Sequence, residues 1–307
     1  MSIIEQAAKR LEQLRQAGIE IPLPRSTSST APTVVAAATP ISAQATGAPP
    51  GPAPASLPRR SRVVHIDLAR LAVQGYVTPD APRTQLANEF RVIKRPLLSN
   101  ANGGGAAPVR RANLVMITSA LAGEGKTFTA VNLALSIAME MDHTVLLVDA
   151  DVARPSIPER LGIEKNGKGL LDLLTDESLE LADVLLRTNV EKLAILPAGR
   201  LHDRATELLA SDAMHRLLED LASRYSDRIV IFDAPPLLAS TESRVLATRM
   251  GQVVVVVEAD NTPQSAVIQA MATLEACPVV MTVLNKVPRG TIGSYYGAYG
   301  YQADTAA

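Results

Sequence analysis

The stretch that decides the fold runs from Leu114 to Thr127 and reads LVMITSALAGEGKT. It opens with an apolar run, continues through a turn that contains Gly123 and Gly125, and leads into a long amphipathic segment. A strand, a glycine-containing turn and a helix start form the P-loop, which binds nucleotide phosphates through backbone N–H groups and the helix N-terminus. We therefore predict that Lys126 contacts the β- and γ-phosphates and that Thr127 contacts Mg²⁺.

One position departs from the P-loop pattern G-x-x-x-x-G-K-[ST]. The pattern has glycine where this chain has Ala120, although Gly123 and Gly125 still supply flexible backbone in the turn. The alternative interpretation is an ordinary glycine-containing connection that leaves Lys126 on the surface.

Two further apolar runs end in carboxylates. Residues 145–151 read VLLVDAD and end with Asp149 and Asp151, and residues 228–233 read RIVIFD and end with Asp233. Continuous aliphatic runs are typical of parallel strands that helices cover on both faces. Ligands of such sheets bind beyond the carboxyl ends of the strands, so we expect these carboxylates beside the P-loop. A single aspartate at a strand end is usually a helix cap, but three beside a P-loop favour a metal site.

The chemistry of Mg²⁺, a hard cation that prefers oxygen ligands, suggests roles for these residues. Asp233 is predicted to hold the metal directly or through water. Asp149 and Asp151 either complete the metal coordination or accept a proton from an attacking hydroxyl, and the sequence does not separate the two alternatives. Asn285, at the end of the last predicted strand, either reads the adenine base or is a turn residue.

Composition and charge exclude several classes of protein. The chain has 307 residues, 47% of them hydrophobic, which suffices for one large α/β domain with extensions. Its formal net charge of −1 gives no general attraction to nucleic acid or anionic membranes. The single cysteine, Cys277, rules out an internal disulfide. No apolar run is long enough to span a membrane, and the N-terminus lacks the apolar core of a signal peptide, which predicts a cytoplasmic protein.

The chain is predicted to have five parts. A capping-box pattern that begins at Ser2 predicts a short helix, and the Pro- and Ala-rich composition after it predicts an extended linker. Helical spacing from Leu86 predicts a helix that stops at Pro96. The parts are an N-terminal helix (1–18), the linker (19–58), a helical oligomerisation segment (59–105), a P-loop domain (106–288) and a tyrosine-rich tail (289–307).

Strands and helices alternate from residue 112 onward. This alternation predicts an α/β fold with a doubly wound, mostly parallel sheet of the P-loop NTPase type and a partly disordered N-terminal extension. Strands are predicted near 114–118, 145–149, 193–197, 229–233, 252–257 and 279–284. Helices are predicted near 126–141, 169–175, 205–224, 240–249 and 263–276.

The predicted tail contains a cluster of tyrosines. Tyr295, Tyr296, Tyr299 and Tyr301 are four of the six tyrosines in the chain, and glycines and small residues separate them. Glycines in such a run disfavour a stable helix or a packed strand. We interpret the cluster as a substrate whose phenol hydroxyls enter an active site one at a time; the alternative is an adhesive terminus of low complexity. Phosphate groups would add negative charge and repel the tail from an acidic metal site.

Together these features resemble those of the bacterial tyrosine kinases, in particular the exosortase-associated and capsule-synthesis autokinases. The resemblance covers about residues 86–307 and rests on the Walker A sequence (119–127), a second Walker A-type sequence (145–155), the Walker B sequence (229–236) and the tyrosine cluster. It implies ATP-dependent autophosphorylation on tyrosine, mainly between subunits of a ring. It also implies a role in making or exporting exopolysaccharide.

The same resemblance implies cofactors and partners. ATP and Mg²⁺ are the expected cofactors. The expected partners are further copies of this chain, a cognate tyrosine phosphatase and a membrane-bound chain-length determinant protein that activates the kinase. Because the chain has no predicted transmembrane segment, the activator is expected to be a separate protein that holds the kinase at the inner face of the membrane.

Ring assembly in the family uses a helix with the pattern Glu-x-x-Arg-x-x-Arg. Residues 88–94 read NEFRVIK, so Asn88 replaces the glutamate and Lys94 replaces the last arginine. Lysine lacks the planar bidentate geometry of arginine, which weakens this contact. The resemblance assigns oligomerisation to Glu89, Arg91 and Lys94.

The expected site residues fall into four groups. The catalytic group is Lys126, Asp149, Asp151 and Asp233, and the metal ligands are Thr127, Asp149, Asp151 and Asp233. The nucleotide contacts are Ala122, Gly123, Glu124, Gly125, Lys126, Thr127, Phe128, Arg154 and Asn285, where Arg154 takes a basic role that relatives often place one position earlier. The phosphoacceptors are Tyr295, Tyr296, Tyr299 and Tyr301.

Two other functions stay open on the sequence alone. One is an ATPase switch of the partition and septum-placement type, which shares the fold. Such proteins typically carry an additional lysine early in the P-loop, where this chain has Ala120 and Leu121. The other is a non-catalytic nucleotide-binding regulator of polysaccharide synthesis.

Overall fold

The computed structural model describes residues 61–105, 107–165, 167–224 and 227–288. They belong to one unit, which spans Ser56–Ala307. The predicted N-terminal helix and linker (1–58) and the predicted tail with its tyrosine cluster (289–307) lie outside the described residues.

One eight-stranded sheet organises the described residues. The strands are β1 (Arg62–Val64), β2 (Leu114–Ser119), β3 (Thr144–Asp149), β4 (Leu186–Thr188), β5 (Leu193–Leu196), β6 (Arg228–Asp233), β7 (Gln252–Glu258) and β8 (Val280–Asn285). Their order in the sheet is β1-β4-β5-β3-β6-β2-β7-β8. All neighbouring pairs are parallel except β4 and β5. The predicted mostly parallel sheet is therefore confirmed.

Helices connect the strands across both faces of this sheet. They are α1 (Leu68–Val73), α2 (Gln85–Ala101), α3 (Lys126–Ala138), α4 (Ile157–Leu161), α5 (Leu170–Thr175), α6 (Leu181–Val184), α7 (Ala205–Ala210), α8 (Asp212–Arg224), α9 (Thr241–Ala247) and α10 (Gln264–Ala272). None of the helices in the described ranges is both long and apolar enough to cross a membrane.

Two apolar clusters explain why the central strands are apolar at every position. Val115 and Ile117 of β2 belong to one cluster, whereas Leu114 and Met116 belong to the other. Successive side chains of a strand point to opposite faces, so β2 is covered on both faces and all six of its residues are buried. This arrangement is the double winding that the continuous aliphatic runs predicted.

Strand register places the functional ends together. β2 lies between β6 and β7, and β3 lies on the other side of β6. Asp149 pairs with Asp233 across the β3–β6 register, and Ile117 of β2 pairs with Asp233 on the opposite side. Because these strands are parallel, their carboxyl ends and the turn after β2 share one edge of the sheet.

The sequence predicts that α2 stops at Pro96. In the structure the helix instead continues to Ala101. Proline removes one backbone hydrogen bond from a helix interior. Phe90 and Leu97, on either side of Pro96, are both buried in the same apolar cluster as α3. Tertiary packing therefore stabilises both halves of the helix and outweighs the local penalty.

The prediction of one continuous helix over 205–224 is also wrong. The chain forms two helices there, α7 and α8, which are separated by Ser211. The Ser211 hydroxyl oxygen accepts a hydrogen bond from the Met214 N–H at 3.2 Å. Ser211 thus caps the start of α8, which is a common role for serine. The short elements β4, α1, α4 and α6 were not predicted, and β4 is the antiparallel exception in the sheet.

Lys94 is a buried residue of the fold rather than an exposed contact on α2. Only 4% of it is exposed. Its ammonium donates to the Ser136 carbonyl at 2.6 Å and pairs with the Glu140 carboxylate at 2.7 Å. Lys94 thus joins α2 to the end of α3 within one chain, and its predicted role in oligomerisation stays a prediction.

We expect Lys94→Ala to lower the free energy of unfolding by about 2 to 3 kcal/mol, because it leaves a buried carbonyl and a carboxylate without their cation. Arg95→Ala, at the exposed neighbouring position, should change it by less than about 0.5 kcal/mol. Urea unfolding of both variants measures the difference. Equal effects of the two substitutions would contradict a structural role for Lys94.

Candidate active site

The P-loop connects Ser119, the last residue of β2, to Lys126, the first residue of α3. Gly123 and Gly125 have φ angles of 90° and 99°. Side chains disfavour this left-handed conformation, so both positions require glycine. Ala120 is fully buried and does not have a positive φ angle. The loop therefore tolerates alanine where the general pattern has glycine.

A cavity of about 660 Å³ opens beside this loop. Lys126 lies on its wall, and its ammonium pairs with the Asp151 carboxylate at 2.7 Å. The P-loop and the start of α3 contribute Ala122, Gly123, Gly125, Lys126, Thr127 and Phe128 to the cavity lining. The lining also includes Asp151, Arg154, Ser156, Arg160, Leu209, Pro235, Pro236 and Glu242.

Asp149 and Asp233 are fully buried next to this cavity's residues but do not line it. Oδ2 of Asp149 accepts hydrogen bonds from the N–H groups of Ser156 and Ile157 at 3.1 and 3.0 Å. Asp149 therefore shapes the loop that carries Arg154. Oδ1 of Asp149 and both carboxylate oxygens of Asp233 have no hydrogen-bond partner among the described residues.

Burial and neighbouring carboxylates shift the pKa values of Asp149 and Asp233 upward. Burial, reinforced by the charge of Asp233, raises the pKa of Asp149 to about 8. Burial raises the pKa of Asp233 to about 6, and the Lys126 ammonium and the nearby Thr127 hydroxyl limit that rise. Both carboxyls are therefore short of positive charge in the free protein.

Asp149, Asp151 and Asp233 form what we call the acidic edge of the sheet. This edge suits Mg²⁺ better than a metal that needs several protein ligands. Within the described ranges, no group of three or more His, Cys, Asp or Glu side chains could hold a metal ion by itself. Mg²⁺ usually keeps several waters and takes one or two protein ligands together with substrate phosphates. The unpaired oxygens of Asp233 and the Thr127 hydroxyl fit such a site. Asp149 has only one oxygen left, and Asp151 is paired with Lys126.

Two of the predicted nucleotide contacts do not line the cavity with their side chains. The Asn285 amide donates to the Glu124 carbonyl at 2.8 Å. The Glu124 carboxylate accepts from the Leu121 N–H at 2.6 Å and from the Thr262 hydroxyl. Both side chains therefore support the P-loop. Arg154 and Phe128 do line the cavity, and their contact with a nucleotide stays a prediction.

The sequence reasoning missed Arg160 and Tyr76. Arg160 lies in α4 and lines the cavity. The Tyr76 ring contacts the Phe128 ring with centroids 5.0 Å apart. Burial raises the pKa of Tyr76, and the adjacent Arg160 guanidinium opposes this rise. Neither residue belongs to a sequence motif, and α4 is too short to be recognised from periodicity.

Glu89 and Arg91, the other residues with a predicted role in oligomerisation, are exposed on α2. Glu89 accepts from the Gln85 amide at 2.9 Å. The Arg91 guanidinium donates to the Asn88 side chain and to the Pro82 carbonyl, both at 2.7 Å. Their assembly role stays a prediction, since a single chain does not test it.

The raised pKa of Asp233 makes stability depend on pH. Its pKa is about 6 in the folded state and about 3.9 in an unfolded chain, so the free energy of unfolding falls as pH rises through this window. Without metal, Asp233→Asn should gain stability over the wild type by on the order of 1 kcal/mol between pH 5 and pH 8. Urea unfolding in EDTA measures this, and Asp80→Asn, at an exposed site, is the control. A constant difference across this range would contradict the charge conflict.

Known proteins resemble this chain in sequence and in fold. A family model described as an AAA domain matches residues 112–280. Tyrosine-protein kinase YwqD of Bacillus subtilis (strain 168) is 30% identical over 220 residues, which cover 72% of this chain and 87% of YwqD. The succinoglycan biosynthesis transport protein ExoP of Rhizobium meliloti (strain 1021) is 30% identical over 224 residues, which cover 71% of this chain and 27% of ExoP.

A solved structure agrees with these relatives. The kinase domain of VpsO has a TM-score of 0.53 and 31% identity, with 67% of this chain and 100% of that domain covered. With more than half of its length matched by the AAA-domain model and a curated kinase aligned along most of it, the chain belongs to the bacterial tyrosine-protein kinase family.

Proposed function

We propose that this chain is an ATP-dependent protein-tyrosine autokinase that phosphorylates its own C-terminal tyrosines, mainly between subunits. The observation that carries the proposal is the pairing of Lys126 with Asp151 on the wall of a P-loop cavity, with Asp233 buried at the end of the neighbouring strand. A phosphate-binding loop supplies the nucleotide half of such a reaction, and an acidic residue on the cavity wall supplies a proton acceptor.

The P-loop holds the nucleotide phosphates in this proposal. Backbone N–H groups of the loop and of the first turn of α3 donate to the phosphate oxygens. Lys126 exchanges its contact with Asp151 for a contact with the phosphates, because a nucleotide brings more negative charge than one carboxylate. Arg154 and Arg160, which also line the cavity, add positive charge that neutralises the transferred group.

Thr127 and Asp233 are the proposed metal ligands. Mg²⁺, when bound, would neutralise charge on the β- and γ-phosphates. The Thr127 hydroxyl lies 3.3 Å from the Ser156 hydroxyl and is 8% exposed, so it is held near the cavity wall. Asp149 acts mainly through the loop that it anchors by its contacts with Ser156 and Ile157.

Asp151 is the proposed proton acceptor. It lines the cavity, whereas Asp149 does not, and this difference favours Asp151 among the two alternatives. When Lys126 turns to the phosphates, the Asp151 carboxylate becomes free to accept the phenol proton. The tyrosine oxygen then forms a bond to the γ-phosphorus while the bond from that phosphorus to the β-phosphate oxygen breaks, and ADP leaves.

The proposed acceptors are Tyr295, Tyr296, Tyr299 and Tyr301 of a neighbouring copy. Transfer between subunits suits a site whose cavity is open to solvent, and the tyrosine cluster offers several phenols on one segment. Each phosphate adds about −1.5 to −2 charge near pH 7. Repulsion from the acidic edge would then release the modified tail, and a cognate tyrosine phosphatase would reset it.

The proposed biological role is control of exopolysaccharide biosynthesis or export. The relative ExoP is by name a succinoglycan biosynthesis transport protein, and this chain aligns with about a quarter of its length. We infer that a separate membrane-bound chain-length determinant protein activates this kinase. The kinase would then work in the cytoplasm, at the inner face of the membrane.

Phosphotyrosine mapping tests the activity. We expect purified full-length protein with MgATP to gain phosphate on the C-terminal peptide, and Lys126→Met to gain at least about 100-fold less, because it lacks the phosphate-binding ammonium. Arg95→Ala is the matched control for loss of a surface cation. Release of free phosphate without any phosphotyrosine would reject the kinase and favour an ATPase switch.

Mixing two variants tests transfer between subunits. Lys126→Met carries intact acceptors but lacks the phosphate-binding ammonium, whereas replacing the four tail tyrosines by phenylalanine leaves the active site intact and removes the acceptors. We expect phosphotyrosine on the Lys126→Met chain when the two are mixed with MgATP. Its absence, with normal modification of the wild type, would show that transfer occurs within one chain.

A further inference from the structure

The P-loop is held from behind by residues at the ends of β7 and β8. To bind phosphates, the loop must point consecutive N–H groups into the cavity. The intervening carbonyls then point away from the cavity and need other partners, because unpaired backbone groups are costly. Two consecutive carbonyls, those of Gly123 and Glu124, find these partners at the end of β8.

Lys286 and Asn285 supply the two partners. The Lys286 ammonium donates to the Gly123 carbonyl at 2.8 Å, and the Asn285 amide donates to the Glu124 carbonyl at 2.8 Å. Asn285 approaches so closely that a Cβ atom at Gly125 would collide with its amide nitrogen. Gly125 is thus required both for its backbone conformation and for this contact.

The β7 end holds the same loop through the Glu124 side chain. Its carboxylate, 2% exposed, accepts from the Leu121 N–H and from the Thr262 hydroxyl. Thr262 Oγ1 also accepts from the Glu258 N–H at 3.1 Å. The turn after β7 therefore holds the P-loop through the Glu124 side chain, whereas the end of β8 holds the loop through its backbone carbonyls.

The two strand ends are tied to each other as well. The Glu258 carboxylate pairs with the Lys286 ammonium at 3.0 Å, and the Ala259 N–H donates to the Asn285 carbonyl at 2.9 Å. Lys286 has a φ angle of 57°, an unfavourable conformation for lysine that persists only where the surroundings determine it. These contacts make a closed set that we call the P-loop clamp: Glu124, Glu258, Thr262, Asn285 and Lys286.

We propose that Asn285 and Lys286 are positioning residues that preset the P-loop for phosphate, so that Asn285 serves every nucleotide rather than reading adenine. The proposal rests on the proposed nucleotide site. Its physical basis is preorganisation: a loop already held in its binding conformation loses less conformational entropy when the phosphates bind. Clamp variants should therefore weaken binding of any polyphosphate by a similar factor, whether or not it carries a base.

Calorimetry with three Mg²⁺ complexes, those of ADP, GDP and tripolyphosphate, tests this on the full chain. Asn285→Ala and Lys286→Met should each weaken all three by a similar factor of roughly ten. Leu284→Ala, at an exposed position of the same strand, should leave all three unchanged. A loss confined to ADP would overturn the proposal and assign base reading to Asn285, and unchanged binding of all three would overturn it as well.

The Glu258→Ala variant distinguishes the positioning effect of the P-loop clamp from a general effect of charge on phosphate binding. Removing a negative charge near the loop would by itself tighten phosphate binding, whereas loss of the anchor for Lys286 should weaken it. We expect weaker binding of all three complexes, and tighter binding would overturn the proposal. Thr262→Val leaves β8 intact and should act in the same uniform way, even if the β8 variants fold poorly.

Two controls keep the outcomes distinct. Thermal unfolding of each variant without ligand shows whether the fold is retained, and we expect shifts of at most a few degrees for Asn285→Ala, because Asn285 is only partly buried. Wild-type protein that binds none of the three complexes contradicts the proposed nucleotide site and this inference with it. Wild-type binding with unaffected variants contradicts the clamp alone.

Discussion

One ammonium group, that of Lys126, pairs with Asp151 and acts on Asp233, at the edge of the sheet that carries three carboxylates. The strand order brings these carboxylates together, because β3 and β6 are neighbours and their last residues, Asp149 and Asp233, lie opposite each other. Asp151, two residues after Asp149, forms the ion pair with the Lys126 ammonium. Asp149 and Asp233 are left buried and short of positive charge, which raises the pKa of each. Within the described residues the edge is therefore arranged for a cation that the protein itself does not supply.

The two halves of the site differ in how they are held. The P-loop half is held in place, because the Gly123 and Glu124 carbonyls and the Glu124 side chain have partners at the ends of β7 and β8. The carboxylate half retains unpaired oxygens on Asp149 and Asp233. A metal–nucleotide complex matches both halves at once, since its phosphates suit the loop and its cation suits the edge. Such complementarity is what phosphoryl transfer needs, because positioning and charge neutralisation supply most of its catalysis.

The sequence predicted the parts of this arrangement that depend on local pattern. The strand–turn–helix around Lys126 and the aspartates at strand ends follow from short runs of residues, and parallel topology then brings them together. Contacts between residues far apart in the sequence could not be predicted from local pattern. Asn285 lies 161 positions from the carbonyl it supports, and a strand-end asparagine has the same local pattern whether it holds a loop or reads a base.

Tertiary packing also overrode local rules in α2. Pro96 predicts a helix end, but burial of Phe90 and Leu97 on either side sustains the helix. Lys94 looked like a surface cation in an assembly motif, yet it is buried because the Ser136 carbonyl and the Glu140 carboxylate accept its protons. Neither outcome can be read from spacing, since both depend on which face of α2 meets α3.

Binding of ADP with and without Mg²⁺ tests the central claim most directly. If the acidic edge exists to take a cation together with phosphates, calorimetry should show that Mg²⁺ strengthens ADP binding by at least about tenfold. Asp233→Asn should abolish most of this gain while it leaves metal-free binding at least as strong. Equal ADP affinity with Mg²⁺ and with EDTA in the wild-type protein would contradict the account.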